Sequence, residues 1–343
     1  MALPSLPPQP AGVAWPTLSW PEGAPEADVD VRGLTALLDR AFSDPPPPEL
    51  GTTHALLAVH RGRLVAERYD REHGPDATLP SWSMAKSVLQ VLVGILVREG
   101  RLDLAAAVDV PQWQGDDPRR AITLEQLLRM RSGLRFDEEY TDPESSNTIQ
   151  MLFGPGKEDT AGFAASLPAI APPDTVWSYS SGTSNIVSAI VGRTVGGGEA
   201  GMRAFMGREL LDRLGMKSAE PRFDAAGTWI GSSFLFATAR DFARFGLFCL
   251  RDGVWEGERV LPEGWMDAAR TPTEGSGGEY GSHFWLATDG SGNFSASGFR
   301  GQYTLMCPRR DLVVVRLGTS MPEQKRGTYL WLKELLERFP ATA

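Results

Sequence analysis

Along this chain the apolar residues change period in a way that separates its ends from its middle. From Val31 to Phe42 they fall at Leu34, Leu37, Leu38 and Phe42, the spacing of one helix face, and the run stops at Asp44 before Pro45 to Pro48, which cannot continue a helix. The pattern then becomes that of a hairpin: Ala55 to Val59, a turn at Arg61-Gly62-Arg63, and Leu64 to Tyr69. A second hairpin lies near the other end, with Gln302 to Cys307, a turn at Pro308 to Asp311 and Leu312 to Leu317, followed by a helix around Gly327 to Phe339.

Between these ends, from about Ser83 to Leu250, the pattern is mostly helical, with Gly-, Pro- and Asp-rich loops at Asp137 to Asn147 and Leu167 to Asp174. The expected fold class is α+β: an antiparallel sheet made from both chain ends, flanked by helices, with a mostly helical domain inserted between its halves. The expected units are an extended Pro-rich arm over 1–30, a sheet unit over 31–82 and 251–343, and a helical unit over 83–250. A cleft between sheet and insert is the natural ligand site.

Composition narrows the function classes. With 42% hydrophobic and 22% charged residues in 343, the chain can bury a sizeable core. Its 34 basic against 43 acidic residues, a net charge of −9, argue against nucleic acid or an anionic membrane as partner. No apolar run approaches the roughly 20 residues that span a bilayer. Met1 to Pro25 holds seven prolines and two tryptophans but no basic start followed by an apolar run, so a cytoplasmic protein is expected. The two cysteines, Cys249 and Cys307, sit in apolar patterns and read as buried hydrophobes rather than a disulfide framework.

Candidate chemistry begins at Ser83-Met84-Ala85-Lys86, which opens a helix carrying Val88, Leu89, Leu92, Ile95 and Leu96. Residues three apart share a helix face, so the Lys86 amine can lie beside the Ser83 hydroxyl at a helix N-terminus. To act as a base Lys86 needs its pKa lowered from about 10.4 to near 7, about 4.6 kcal/mol of differential stabilisation. The chain uses only five lysines against 29 arginines, and arginine cannot serve as a base. Taken alone, this spacing reads equally as a helix cap with an exposed lysine.

A second piece is Trp177-Ser178-Tyr179-Ser180-Ser181-Gly182, where a strand-like approach ends and a helix begins. The Tyr179 phenol could be a general base or acid if a cationic Lys86 lowers its pKa, or simply a packed core tyrosine. A third is Phe294 to Gln302, an edge-strand pattern whose Gly298 and Gly301 let a backbone approach a ligand and whose N–H could stabilise an oxyanion; a bulged strand or turn fits as well.

These three pieces, in this order, resemble the serine hydrolases related to class C β-lactamases and penicillin-binding proteins. Ile122 to Leu128 with Ser132-Gly133-Leu134, Leu214-Gly215-Met216, Ala237 to Gly246, and Tyr280-Gly281 before Phe284-Trp285 are similar too, so the likeness runs from about Val31 to Phe339. The resemblance implies a β-lactamase/transpeptidase-like fold, Ser83 as nucleophile, Lys86 as its activating partner, Tyr179 as proton shuttle, and the backbone N–H groups of Ser83 and Phe299 as oxyanion donors. It implies an acyl-enzyme, no metal and no organic cofactor.

Two departures steer the reading within that family. Where the β-lactam enzymes carry Tyr-x-Asn, the third position is Ser181, and where they carry Lys-Thr-Gly, the chain has Ala296-Ser297-Gly298. Loss of the edge lysine removes the cation that holds a substrate carboxylate; whether Arg300 replaces it depends on where its side chain points. The altered motifs, and Asp137-Glu138-Glu139-Tyr140 followed by Asp142-Pro143, look more like family VIII-type carboxylesterases and 6-aminohexanoate-dimer (nylon-oligomer) hydrolases. In that branch a loop tyrosine closes on the substrate, and Tyr140 is the matching residue, unless it is a surface aromatic. Ser181, Ser297 and Gly298 complete the expected substrate-binding set.

The expected partner is therefore a small-molecule ester or amide, with a homodimer left open. A β-lactamase or DD-peptidase is the alternative enzyme, and a non-catalytic binding scaffold the alternative of another class. His54, His60, His73 and His283 show no His-x-x-x-His spacing, there is no Cys-x-x-Cys, and no G-x-S-x-G elbow surrounds any serine, so the histidines read as structural.

Overall fold

A computed structural model describes residues 3–341; Met1 and Ala2 of the expected arm, and Thr342 and Ala343 of the expected sheet unit, lie outside the described residues. The strands are β1 (Thr52–His60), β2 (Arg63–Tyr69), β3 (Leu79–Pro80), β4 (Glu220–Pro221), β5 (Leu235–Ala237), β6 (Val254–Trp255), β7 (Glu258–Arg259), β8 (Trp285–Leu286), β9 (Phe294–Gly298), β10 (Gln302–Cys307) and β11 (Leu312–Thr319). The helices are α1 (Val31–Ala41), α2 (Met84–Arg98), α3 (Leu124–Leu128), α4 (Asn147–Phe153), α5 (Thr160–Ser166), α6 (Ser181–Val195), α7 (Gly198–Met206), α8 (Asp212–Leu214), α9 (Ala239–Leu250), α10 (Trp265–Ala269) and α11 (Lys325–Leu336).

Six strands form one antiparallel sheet in the order β2-β1-β11-β10-β9-β8. Its centre is the pair β1 and β11, which joins the two chain ends in register from Thr52 opposite Thr319 to His60 opposite Leu312. Strand alternation sorts the side chains onto two cores. Leu56, Ala58, Tyr303, Leu305 and Val314 face α1 and α11, whereas Leu57, Val59, Met306, Val313 and Val315 face α2 and α9. Each face is thus covered, and β1 and β11 are almost wholly buried.

The region between the sheet halves is mostly helical, but β4 and β5 lie within it and pair with each other, and β5 pairs on its other side with β3. At two or three residues each, they are too short to show an alternating period. The N-terminal arm runs over the surface of this assembly. The largely buried guanidiniums of Arg244, Arg251 and Arg270 donate to the carbonyls of Pro16, Pro7 and Pro4, and Trp20 is buried beneath it. Cys249 and Cys307 are free and buried, and among the described residues no helix is long and apolar enough to cross a membrane.

Candidate active site

The turn before α2 sets the position of Ser83. Trp82 adopts φ +45°, a left-handed conformation costing of order 1–3 kcal/mol for a non-glycine residue and concentrated at functional sites. Ser83 stands at the N-cap of α2, yet its side chain makes no capping hydrogen bond. It accepts one from Lys86 Nζ at 3.1 Å instead, so the cap reading left open by the spacing alone does not describe this hydroxyl.

Lys86 is 1% exposed. Its Nζ also donates to Ser181 Oγ and to the Ser232 carbonyl, both at 2.9 Å. Three acceptors match the three protons of an ammonium, and the same arrangement suits a neutral amine that donates twice and accepts from Ser83. Desolvation pulls the Lys86 pKa down to about 8, against the opposing pull of the Glu138 carboxylate. A useful fraction of the amine is therefore unprotonated near neutral pH.

Tyr179 reaches the same point from an irregular segment, not from the strand-like approach its neighbours suggested. The apolar character there has another use: Trp177 packs against Tyr280 at 5.7 Å, and the Ser178 N–H bonds to the Met130 carbonyl at 2.9 Å. The Tyr179 ring lies against Tyr280 (5.6 Å) and Trp285 (5.2 Å), with Lys86 Nζ 5.0 Å from its centroid. Desolvation of its hydroxyl end, then the Glu138 charge, push the phenol well above its ordinary pKa, although the residue keeps some exposure to solvent. Hydrogen bonds with Ser83 and Trp285 pull the other way without reversing this. The expectation that Lys86 lowers the phenol's pKa is thus corrected: the shift is upward and favours the protonated phenol.

The two expected oxyanion donors are left over by regular structure. Ser83 precedes the first residue of α2, and Phe299 follows the last of β9. Gly298 makes their approach feasible, since a Cβ there would lie 2.2 Å from the Ser81 carbonyl oxygen. Behind the Phe299 turn sits Arg316, fully buried, whose guanidinium donates to the carbonyls of Gly301 (2.7 Å), Arg300 (3.3 Å), Thr52 (2.9 Å) and Leu50 (3.3 Å). Gln302 Nε2 adds a bond to the Phe299 carbonyl at 3.1 Å.

The remaining expected residues divide. Ser181 is central: it opens α6, accepts the Lys86 bond and donates its own hydroxyl to Glu138 Oε1 at 2.6 Å. Tyr140 stacks on Phe299 with centroids 5.0 Å apart and donates to Glu138 Oε1 at 2.6 Å, which brings it over the Phe299 turn. Ser297 is not brought to this group. It lies opposite Tyr303, on the sheet face that packs toward α1 and α11, and its hydroxyl pairs with Ser295 Oγ at 3.0 Å. Ala296 is opposite Thr304, whose hydroxyl meets Met84 of α2, so the residue replacing the family's edge lysine faces the α2 side with a single methyl. Arg300 lies over the Phe299 ring, its Cζ 5.6 Å from the centroid.

Sequence reasoning missed Glu138, Trp285, the Ser232 carbonyl and Arg316. Glu138 accepts from both the Ser181 N–H and Oγ and faces Lys86, Tyr140 and Tyr179. In the sequence its neighbourhood points only to Tyr140, because Ser181, which meets Glu138 in the fold, lies far along the chain. A carboxylate at the N-terminus of a 15-residue helix is favourably placed in the helix field.

Comparison with known proteins bears on the family and the fold. A family profile described as Beta-lactamase matches residues 52–338. The chain is 29% identical over 297 residues to the 6-aminohexanoate-dimer hydrolase of Paenarthrobacter ureafaciens, covering 79% of this chain and 73% of that one. A solved Bacillus anthracis structure, described as a candidate 6-aminohexanoate-dimer hydrolase, superposes with a TM-score of 0.73 at 24% identity, over 99% of this chain and 92% of that one. A penicillin-binding protein homologue from Caulobacter crescentus superposes with a TM-score of 0.64 at 17% identity, over 90% and 99% respectively.

Proposed function

The chain belongs to the Beta-lactamase family and is a serine hydrolase, and from that premise we propose that Ser83, Lys86 and Tyr179 hydrolyse small esters or amides through an acyl-enzyme. The observation that carries this reading is the contact of Lys86 Nζ with Ser83 Oγ at 3.1 Å, made by a buried amine whose pKa is lowered to about 8. Neutral Lys86 takes the Ser83 proton as Oγ attacks the carbonyl carbon. The N–H groups of Ser83 and Phe299 hold the negative oxygen of the tetrahedral intermediate. Tyr179 gives its proton to the departing alcohol or amine and is reprotonated from the Lys86 ammonium; water then repeats the sequence on the acyl-enzyme.

The substrate class follows from what the site lacks. With Ala296 on the α2 side and Arg300 leaning on Phe299, no edge lysine is available for a β-lactam carboxylate. A carboxylesterase or an amidase like the 6-aminohexanoate-dimer hydrolase it resembles fits better, acting in the cytoplasm without a metal or organic cofactor in the reaction. The sheet unit of 31–82 and 251–343 and the helical unit of 83–250 then form the two walls of the cleft.

The test is the initial rate on p-nitrophenyl butyrate for the wild type and Ser83→Ala, with equal folding confirmed, alongside a chromogenic cephalosporin. Turnover of the ester by the wild type alone supports the reading. Ester turnover by both proteins removes Ser83 as nucleophile, none by either favours a binding scaffold, and cephalosporin turnover as efficient as ester turnover favours a β-lactamase.

A further inference from the structure

Away from the cleft, folding assembles a donor set that chain spacing conceals. His54 stands on β1, opposite the end of β2, where the Asp70 N–H bonds to its carbonyl at 3.0 Å. The β1–β11 register shifts between Thr53 and Ala55, so His54 is the bulged residue, and a bulge re-aims the side chain it carries. Asp70 follows β2, and the next turn folds His73 back over it: Asp70 Oδ1 accepts the N–H groups of Glu72 (3.0 Å) and His73 (2.9 Å).

The result is one carboxylate between two imidazoles. His54 Nδ1 lies 2.8 Å from Asp70 Oδ2, His73 Nδ1 lies 2.7 Å from Asp70 Oδ1, and the rings are 4.5 Å apart. One ligand atom from each residue fits within 4.8 Å of the others, and all three side chains keep about a fifth of their surface open to solvent. On its far side His54 Nε2 meets Thr319 Oγ1 at 3.1 Å.

We propose that His54, Asp70 and His73 bind a divalent late first-row metal ion, with zinc as the best match to two imidazoles and a carboxylate. In the metal-bound form each ring offers its Nδ1 lone pair and carries its proton on Nε2. For His54 that proton is donated to Thr319 Oγ1, the outer partner that ligating histidines characteristically have. Solvent completes the coordination. β1 and β9 are separated by β11 and β10, so at about 4.8 Å per strand step the site lies about 14 Å across the sheet from the oxyanion strand, and it takes no part in hydrolysis.

The experiment is calorimetric titration of chelator-treated, full-length protein with Zn²⁺, and the visible absorption of Co²⁺ as a report of ligand type. The wild type should bind one ion per chain with a tetrahedral Co²⁺ spectrum. His73→Ala and Asp70→Asn should weaken binding by about 100-fold or more, and Thr319→Val by about tenfold, while ester hydrolysis and melting temperature of the metal-free proteins stay near wild type. Absence of stoichiometric binding by the wild type, or binding unchanged in His73→Ala, overturns the proposal. Should a variant misfold, His54→Gln gives a second removal of the same ligand set.

Discussion

Glu138 and Ser181 are joined twice, the carboxylate accepting the Ser181 N–H through Oε2 and the Ser181 hydroxyl through Oε1, each at 2.6 Å. Ser181 in turn accepts from Lys86, so a single hydroxyl couples the base to a negative charge. That charge raises the proton affinity of Lys86, opposing the desolvation that lowers it. Glu138→Gln keeps an acceptor but removes the charge. The basic limb of kcat/KM on a short-chain ester should then move about one pH unit to the acid side of the wild-type limb. An unmoved limb, measured from pH 5 to 10, would show that the carboxylate does not act on the base.

Lys86 itself makes a prediction about stability. Its pKa is near 8 in the folded chain and about 10.4 when unfolded, so between these values the unfolded state binds more protons. Stability from this group must therefore rise with pH across that window, by up to about 1.4 kcal/mol per pH unit. Chemical denaturation of the wild type and Lys86→Met at pH 7 and 10 checks the sign: the slope belongs to the wild type alone, and the methionine variant is inactive. Equal slopes in both proteins would assign the effect elsewhere.

Tyr179, held protonated, matters most where the leaving group needs a proton. In Tyr179→Phe the rate on a methyl ester or an anilide should fall by about 10² to 10⁴. On a p-nitrophenyl ester, whose leaving group departs as the anion, the loss should be much smaller. The basic limb should persist in the variant, because it belongs to Lys86. Its disappearance would return the role of base to the phenol.

Much of this site was readable because its parts are local. Ser83 and Lys86 are three residues apart on one helix, and the hairpins around Arg61-Gly62 and Pro308 to Asp311 carry their period and turn residues in the sequence itself. Gly298 reads in the sequence as a place of close backbone approach, and the Ser81 carbonyl is what approaches it. Glu138 was hidden because a carboxylate in an acidic loop has no period, and only folding brings it to Ser181. The direction of Ser297 is hidden for a subtler reason: strand alternation points neighbours to opposite faces, and which face meets α2 depends on pairing with β10. The direction of the phenol's pKa is not legible in the sequence, because it is set by desolvation, which only the folded site displays.

Arg316 gives a prediction from inside the sheet. With four backbone carbonyls and Thr53 Oγ1 around one guanidinium, it fixes the turn that presents the Phe299 N–H. Arg316→Lys keeps the charge but not the planar fork. The expected result is a kcat reduced by about tenfold to 100-fold with KM within about twofold, and a parallel loss of affinity for a boronic acid that mimics the tetrahedral intermediate. A loss of folding without this split would make the residue structural only; Gln302→Leu, which cuts the bond to the Phe299 carbonyl, tests the same turn independently.

The pairing of β1 with β11 has a consequence for how the protein is made. A ribosome that has released the chain as far as α9 has already delivered Ser83, Lys86, Glu138 and Tyr179, yet β1 still lacks its central neighbour and the oxyanion strand does not yet exist. The β1–β2 hairpin waits, edge exposed, until β11 has been made. Activity should therefore switch on late and in one step, and a synonymous slow stretch placed before the codons for β10 would lengthen that exposed interval and favour chaperone capture over early activity.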